Sequence, residues 1–187
     1  MAVEEPKFEL ISQDGSFEIR RYAPAIIAET LVGGEMDAAS GRGFRLIADY
    51  IFGNNTVPGT ALEKTSEKIA MTAPVVMEPV DAGTDLSSAT QWRIHFVMPS
   101  AYTLSALPKP NNPAVTLKQL PARTFAVLTY SGLNTVSRIQ QKTGELTGWL
   151  KEKGIEPSGV PQLARYDPPW TLPMWRRNEI QMEVKLP

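Results

Sequence analysis

Arg123-Thr124-Phe125-Ala126-Val127-Leu128-Thr129-Tyr130-Ser131-Gly132-Leu133-Asn134 reads as one buried strand, a glycine stop and the entry to a helix. Its aromatic and branched side chains suit a pleated, covered surface, and Gly132 breaks the run. Residues 115–118 supply a preceding strand, with Pro121 at the bend between them. Downstream, Asn134 is placed to cap a helix over 134–153 that buries Val136, Ile139, Leu146, Trp149 and Leu150, with Gly154 after its end. The same order occurs earlier. Residues 19–32 give two strands, Gly33-Gly34 stops them, and a helix over 36–52 follows with Phe44, Ile47, Ala48 and Ile51 at helical spacing. Gly41 and Gly43 weaken that helix by about 1 kcal/mol each. Identity between the two halves is slight, so the reading rests on element order. It predicts one α+β domain over 1–187, with repeats at about 7–98 and 115–187. The architecture is a two-repeat distorted, mostly antiparallel β-barrel or sheet flanked by two α-helices.

Around this frame, Phe8 and Leu10 alternate toward a turn at Asp14-Gly15, predicting an opening hairpin. Residues 67–77 read as two short strands with Pro74 at a bend, and 83–88 as a loop. Trp92, Ile94, Phe96 and Met98 share one strand face, leaving Arg93, His95 and Val97 on the other. Near the end, Tyr166-Asp167-Pro168-Pro169-Trp170-Thr171-Leu172-Pro173-Met174-Trp175-Arg176-Arg177-Asn178-Glu179 carries three prolines. They exclude helix and central strand from its middle, which predicts a stiff loop before alternating Ile180, Met182 and Val184. Two readings of that loop stand. Trp170 and Trp175 fold back onto the core with both arginines paired to carboxylates, as aromatic residues mostly do. Alternatively, Trp170, Leu172, Met174 and Trp175 stay at the surface beside Arg176 and Arg177 to receive a flat, acidic partner.

With 42% apolar and 21% charged residues, the chain has the composition of a soluble globular domain. A net charge of −1 gives no basic surplus for nucleic acid, and no apolar run approaches a membrane span of about 18 residues. Without cysteine there are no disulfides, thiolate metal sites or cysteine nucleophiles. The expected compartment is the cytoplasm, with export the alternative if a leader has been removed. There is one histidine, and no nucleophile elbow, phosphate loop or dinucleotide fingerprint, so no catalytic residue is assigned.

Three segments together resemble one family. Glu5-Pro6-Lys7-Phe8 through Phe17-Glu18-Ile19-Arg20-Arg21-Tyr22, Lys68-Ile69-Ala70-Met71-Thr72-Ala73-Pro74-Val75, and Tyr166-Asp167-Pro168-Pro169 with Arg176-Arg177-Asn178-Glu179 are similar to the SOUL haem-binding proteins, as is Phe96-Val97-Met98-Pro99. The resemblance implies a small-molecule partner, haem or another tetrapyrrole, bound reversibly in a groove between the first helix and the loop before the last strand. Carried onto this chain, the walls are residues 36–52 and 172–177: Arg42, Arg45, Ala48, Asp49 and Phe52 on one side, Leu172, Met174, Trp175, Arg176 and Arg177 on the other. The chain departs from the family pattern where Gly41, Ala48 and Asp49 replace basic and methionine side chains. Arg42 and Arg45 lie close enough to serve the propionates, whereas Asp49 has the wrong sign. Met36, Met174 and His95 are weak candidates for iron, and His95 fits better as a half-exposed or hydrogen-bonded strand residue. No axial ligand is required. Covering roughly 400 Å² of apolar pigment at ~25 cal/mol/Å² yields ~10 kcal/mol, and association costs several of these, leaving roughly micromolar affinity. Two alternatives differ in class. One is a ligand-sensing or interaction module for flat amphiphiles, since the two-repeat order also resembles effector-binding domains. The other is an enzyme acting on a tetrapyrrole through His95, Glu179 or Asp167. The sequence names no protein partner.

Overall fold

In a computed structural model that describes residues 3–59, 65–81 and 85–186, the chain opens with a hairpin of β1 (Phe8–Asp14) and β2 (Phe17–Tyr22). Asp14 faces Phe17 across the ladder, so Gly15-Ser16 makes the turn, and Gly15 has the positive φ of 62° that a residue without Cβ accepts readily. Then come β3 (Ala25–Gly33), α1 (Met36–Ile51), β4 (Asn55–Thr56), β5 (Val75–Pro79) and β6 (Gln91–Val97). The second half supplies β7 (Lys109–Pro110), β8 (Thr116–Leu120), β9 (Arg123–Tyr130), α2 (Val136–Glu152), β10 (Gln162–Arg165) and β11 (Asn178–Glu183).

Nine strands form one antiparallel sheet in the order β1-β2-β9-β11-β10-β5-β6-β3-β8, and β4 pairs with β7. From β2 to β8 this order is palindromic about the β5–β10 pair. Each half contributes three adjacent strands, while β2 crosses to β9 and β8 crosses to β3. The fold is therefore α+β, as the recurring strand, strand, glycine, helix order predicted.

Both helices pack on one face, α1 over β3 and β6, α2 over β9 and β11. Ile19, Ala28, Ile94, Phe96, Ala126, Leu128 and Ile180 are all buried beneath them. Gly43 is what brings α1 so close. A Cβ there would stand 2.4 Å from Ile94 Cδ1. Among the described residues the other face carries no helix, yet Arg20, His95, Gln162, Glu179 and Gln181 are buried on it. A flat sheet would leave them wet, so the sheet curls around them.

Several local expectations are corrected. Residues 67–77 hold one strand, β5, preceded by irregular chain that touches Glu4 through a single bridge at Thr72. Thr135, not Asn134, caps α2, its side chain accepting from the Arg138 amide, and Val136 is exposed. The proline-rich loop contains one turn of 3₁₀ helix, Pro173–Trp175, because proline is tolerated at the first helical position. β11 is buried on both faces, polar Glu179 and Gln181 included. The loop expected over 83–88 lies partly outside the described residues.

Candidate functional site

The proline-rich loop leaves β10 at Arg165 and rejoins the sheet at Asn178. Its backbone is satisfied from within. Arg176 donates from Nε to the Thr171 carbonyl (2.7 Å) and from Nη2 to that of Pro169, the Trp175 amide donates to Leu172 (2.9 Å), and Asp167 accepts the Arg177 amide (2.6 Å). Outside the loop, the Gly132 amide donates to the Pro173 carbonyl (3.0 Å), which seats the 3₁₀ turn beside the entry to α2. Rigid without a core of its own, the loop holds its apolar side chains outward. Trp170 is 82% exposed, Trp175 72%, Met174 65% and Leu172 49%. The reading in which both tryptophans turn inward is thus overturned. Leu133 and Val136, beside the same turn, are exposed as well.

The two arginines of the loop divide in role. Arg177 is committed to the protein, with both terminal nitrogens on Glu5 (3.2 and 2.6 Å), its guanidinium 3.4 Å from the Tyr166 ring centroid and Nε 3.6 Å from Glu179. Arg176 braces carbonyls and meets no carboxylate among the described residues, so its charge is unmatched.

On α1, Arg42, Arg45, Asp49 and Phe52 follow one another at helical spacing along the solvent side. Arg42 donates to the Gly33 carbonyl, and neither Arg42 nor Arg45 has an ion pair among the described residues. Asp49 accepts from Asn54 (2.5 Å), Phe52 is 58% exposed, and Ala48 is buried. The link between loop and helix lies elsewhere, at a residue the sequence reading passed over. Arg165, at the root of the loop, reaches Ser40 Oγ (3.1 Å) and Asp37 (3.5 Å) in the first turns of α1. Burial holds its guanidinium below the usual range. Asp37 opposes that shift and the Arg176 charge adds to it. Its Nε is buried without a hydrogen-bond partner among the described residues. The signal was available in the strand, because alternation puts Arg165 in phase with core residue Leu163. From Ser40, Phe52 is twelve residues on, about 18 Å along the helix axis. The structure therefore brings Arg165 to the first turns of α1, within electrostatic reach of Arg176, keeps Leu172, Met174 and Trp175 on the loop whose 3₁₀ turn is seated beside the entry to α2, and sets Asp49 and Phe52 at the far end of α1.

The three residues considered for iron sit apart. Met36 is 8% exposed and packed in the core, Met174 lies on the loop surface, and His95 projects from the sheet face opposite the helices. The histidine is not half-exposed, and among the described residues it has no hydrogen-bond partner; it is 5% exposed with Nδ1 unpartnered there, and burial lowers its pKa to about 4. Among the described residues no three His, Asp or Glu side chains converge on a metal position, and no helix is long and apolar enough to cross a membrane.

A loop that keeps aromatic rings outward beside the unmatched guanidinium of Arg176 suits a flat, apolar molecule bearing a carboxylate. The chain is 30% identical over 175 residues to human Heme-binding protein 2, covering 92% of this chain and 80% of that one. Among solved structures it superposes on the EcmrR C-terminal domain at TM-score 0.64 and 14% identity, covering 90% of this chain and 96% of that one. A hydrolase from Listeria innocua superposes at 0.59 and 12%, covering 94% of each. Those two likenesses are of fold alone. A family model described as SOUL heme-binding protein matches residues 3–183, and the chain belongs to that family.

Proposed function

We propose that this protein binds haem or a related tetrapyrrole reversibly against the proline-rich loop, as a carrier or buffer with no chemistry of its own. The observation that carries the reading is the outward set of Trp170, Leu172, Met174 and Trp175 on a loop whose backbone is already pinned. Because the loop is ordered beforehand, little conformational entropy is lost when a ring system covers it. Arg176, with Arg165 behind it and Arg42 and Arg45 along α1, supplies cations for propionates. When bound, haem would bring an iron centre, and Met174 is the one candidate sulfur on the loop surface. Packing supplies most of the affinity in this reading, so the iron is dispensable. The name of the human relative, Heme-binding protein 2, supports the same ligand class.

The test is a titration with haemin and, in parallel, with metal-free protoporphyrin, read by absorbance and tryptophan quenching. Saturation near one equivalent, at roughly micromolar affinity for both, is expected. Pigment spectra that stay those of the free compounds throughout would overturn the proposal.

A further inference from the structure

On the helix-free face, His95, Gln162 and Gln181 form the polar floor of a slot of about 60 Å³ walled by Ile27, Val76 and Phe125. Pro6, Ala23, Ala25 and Val97 line both this slot and a mostly apolar groove of about 750 Å³, so the two adjoin. We propose that this slot and groove are a second binding site, distinct from the proline-rich loop, for an uncharged amphiphile with a hydroxyl or primary amide head and an elongated apolar body.

The floor selects the head. Gln162 donates its amide nitrogen to Glu78 (2.7 Å) and Gln181 donates to Glu179 (2.8 Å), which orients both amides and leaves their oxygens as acceptors. His95 is 5% exposed and its Nδ1 has no partner among the described residues, an arrangement that leaves a strong polar atom unsatisfied. A ligand hydroxyl or amide can donate to a glutamine oxygen and exchange a hydrogen bond with the imidazole. Charge is excluded by what is already matched. Glu78 holds Arg93 at 2.9 Å, Arg93 lies 3.4 Å from Glu29, and Arg123 lies 3.6 Å from Glu183. Burial keeps the imidazole neutral near pH 7, so among the described residues that line the slot no unpaired charge awaits an ion. The slot takes only the head, and the wider groove accepts the chain.

His95 is the single histidine, so its imidazole NMR signals are unambiguous. Octan-1-ol titrated into the full protein should shift them saturably. By calorimetry, octanoate and octylammonium should bind at least about tenfold more weakly than octan-1-ol. His95→Leu, which keeps the bulk and removes the polar atoms, should weaken octan-1-ol about tenfold, the size of one lost hydrogen bond. Ala25→Trp, closing the mouth, should abolish the His95 shift, and this arm stands even if His95→Leu fails to fold. An unmoved imidazole at saturating octan-1-ol, equal binding of octanoate, or an Ala25→Trp protein that still responds would each overturn the proposal.

Discussion

Arg20 Nη1 lies 3.0 Å from Glu179 Oε1, with the two side chains 6% and 0% exposed. Glu179 also accepts from the Tyr166 hydroxyl and the Gln181 amide, both at 2.8 Å, so this carboxylate joins β2, β11 and the root of the proline-rich loop. Burial works against the Arg20 charge, yet Glu179 and its other partners raise the guanidinium pKa above its ordinary value. Removing one member leaves a charge inside with nothing to answer it. Glu179→Gln should therefore cost about 3 kcal/mol in urea unfolding. A loss below about 1 kcal/mol would mean that water reaches the pair.

Acid should expose the buried imidazole. The unfolded chain takes up a proton at His95 near the ordinary value of 6.5, whereas the folded chain resists until about pH 4. Below pH 6.5 the unfolded state thus binds more protons, and stability falls as pH drops toward about 4, where this contribution levels off. The full effect is roughly 3 kcal/mol. Subtracting a His95→Leu profile from the parent profile isolates it, and a flat difference between pH 6.5 and 4 would contradict the assignment.

Two glycines of α1 should respond in opposite directions. Gly43→Ala places a Cβ 2.4 Å from Ile94 Cδ1, and the overpacking should destabilise by about 1–3 kcal/mol. Gly41→Ala meets nothing nearer than Arg45 Nη1 at 3.6 Å, so it should stabilise by about 0.5–1 kcal/mol through helix propensity. Thermal unfolding of the two variants, side by side, tests the helix–sheet distance directly.

Trp170 and Trp175 should matter to pigment and hardly to folding. With both rings largely in solvent, each alanine variant should shift unfolding free energy by less than about 0.5 kcal/mol. Haemin affinity should fall about tenfold per ring, the size of a lost stacking contact. Calorimetric titration beside urea unfolding separates the two quantities, and a stability loss matching the affinity loss would return these rings to a structural role.

Much of the frame was legible because alternation and helical spacing act locally. Trp92, Ile94, Phe96 and Met98 fall on one buried face, and Ile139, Leu146, Trp149 and Leu150 line the inner side of α2. What was missed depends on neighbours remote in sequence. Asn134 looks like a cap, but its side chain accepts from Tyr130 and donates to Asn178, leaving the capping bond to Thr135. Glu179 and Gln181 alternate with apolar residues as a solvent face would, and only the curl of the sheet shows that they are inside. Of the expected site, the stiff loop was visible in its prolines, but the outward turn of Trp170 and Trp175 was not, because aromatic residues are mostly core. Nor was the commitment of Arg177 to Glu5, since 172 positions separate them.

The crossing of β2 and β8 has a practical side. A polypeptide severed between β7 and β8, around residue 112, would yield two fragments, each lacking an outer edge that only its mate can restore. Produced together, they should complement; produced singly, each should aggregate through the bare edge of its three-stranded remnant. No shorter working version of this molecule is to be had by trimming either end back to one half.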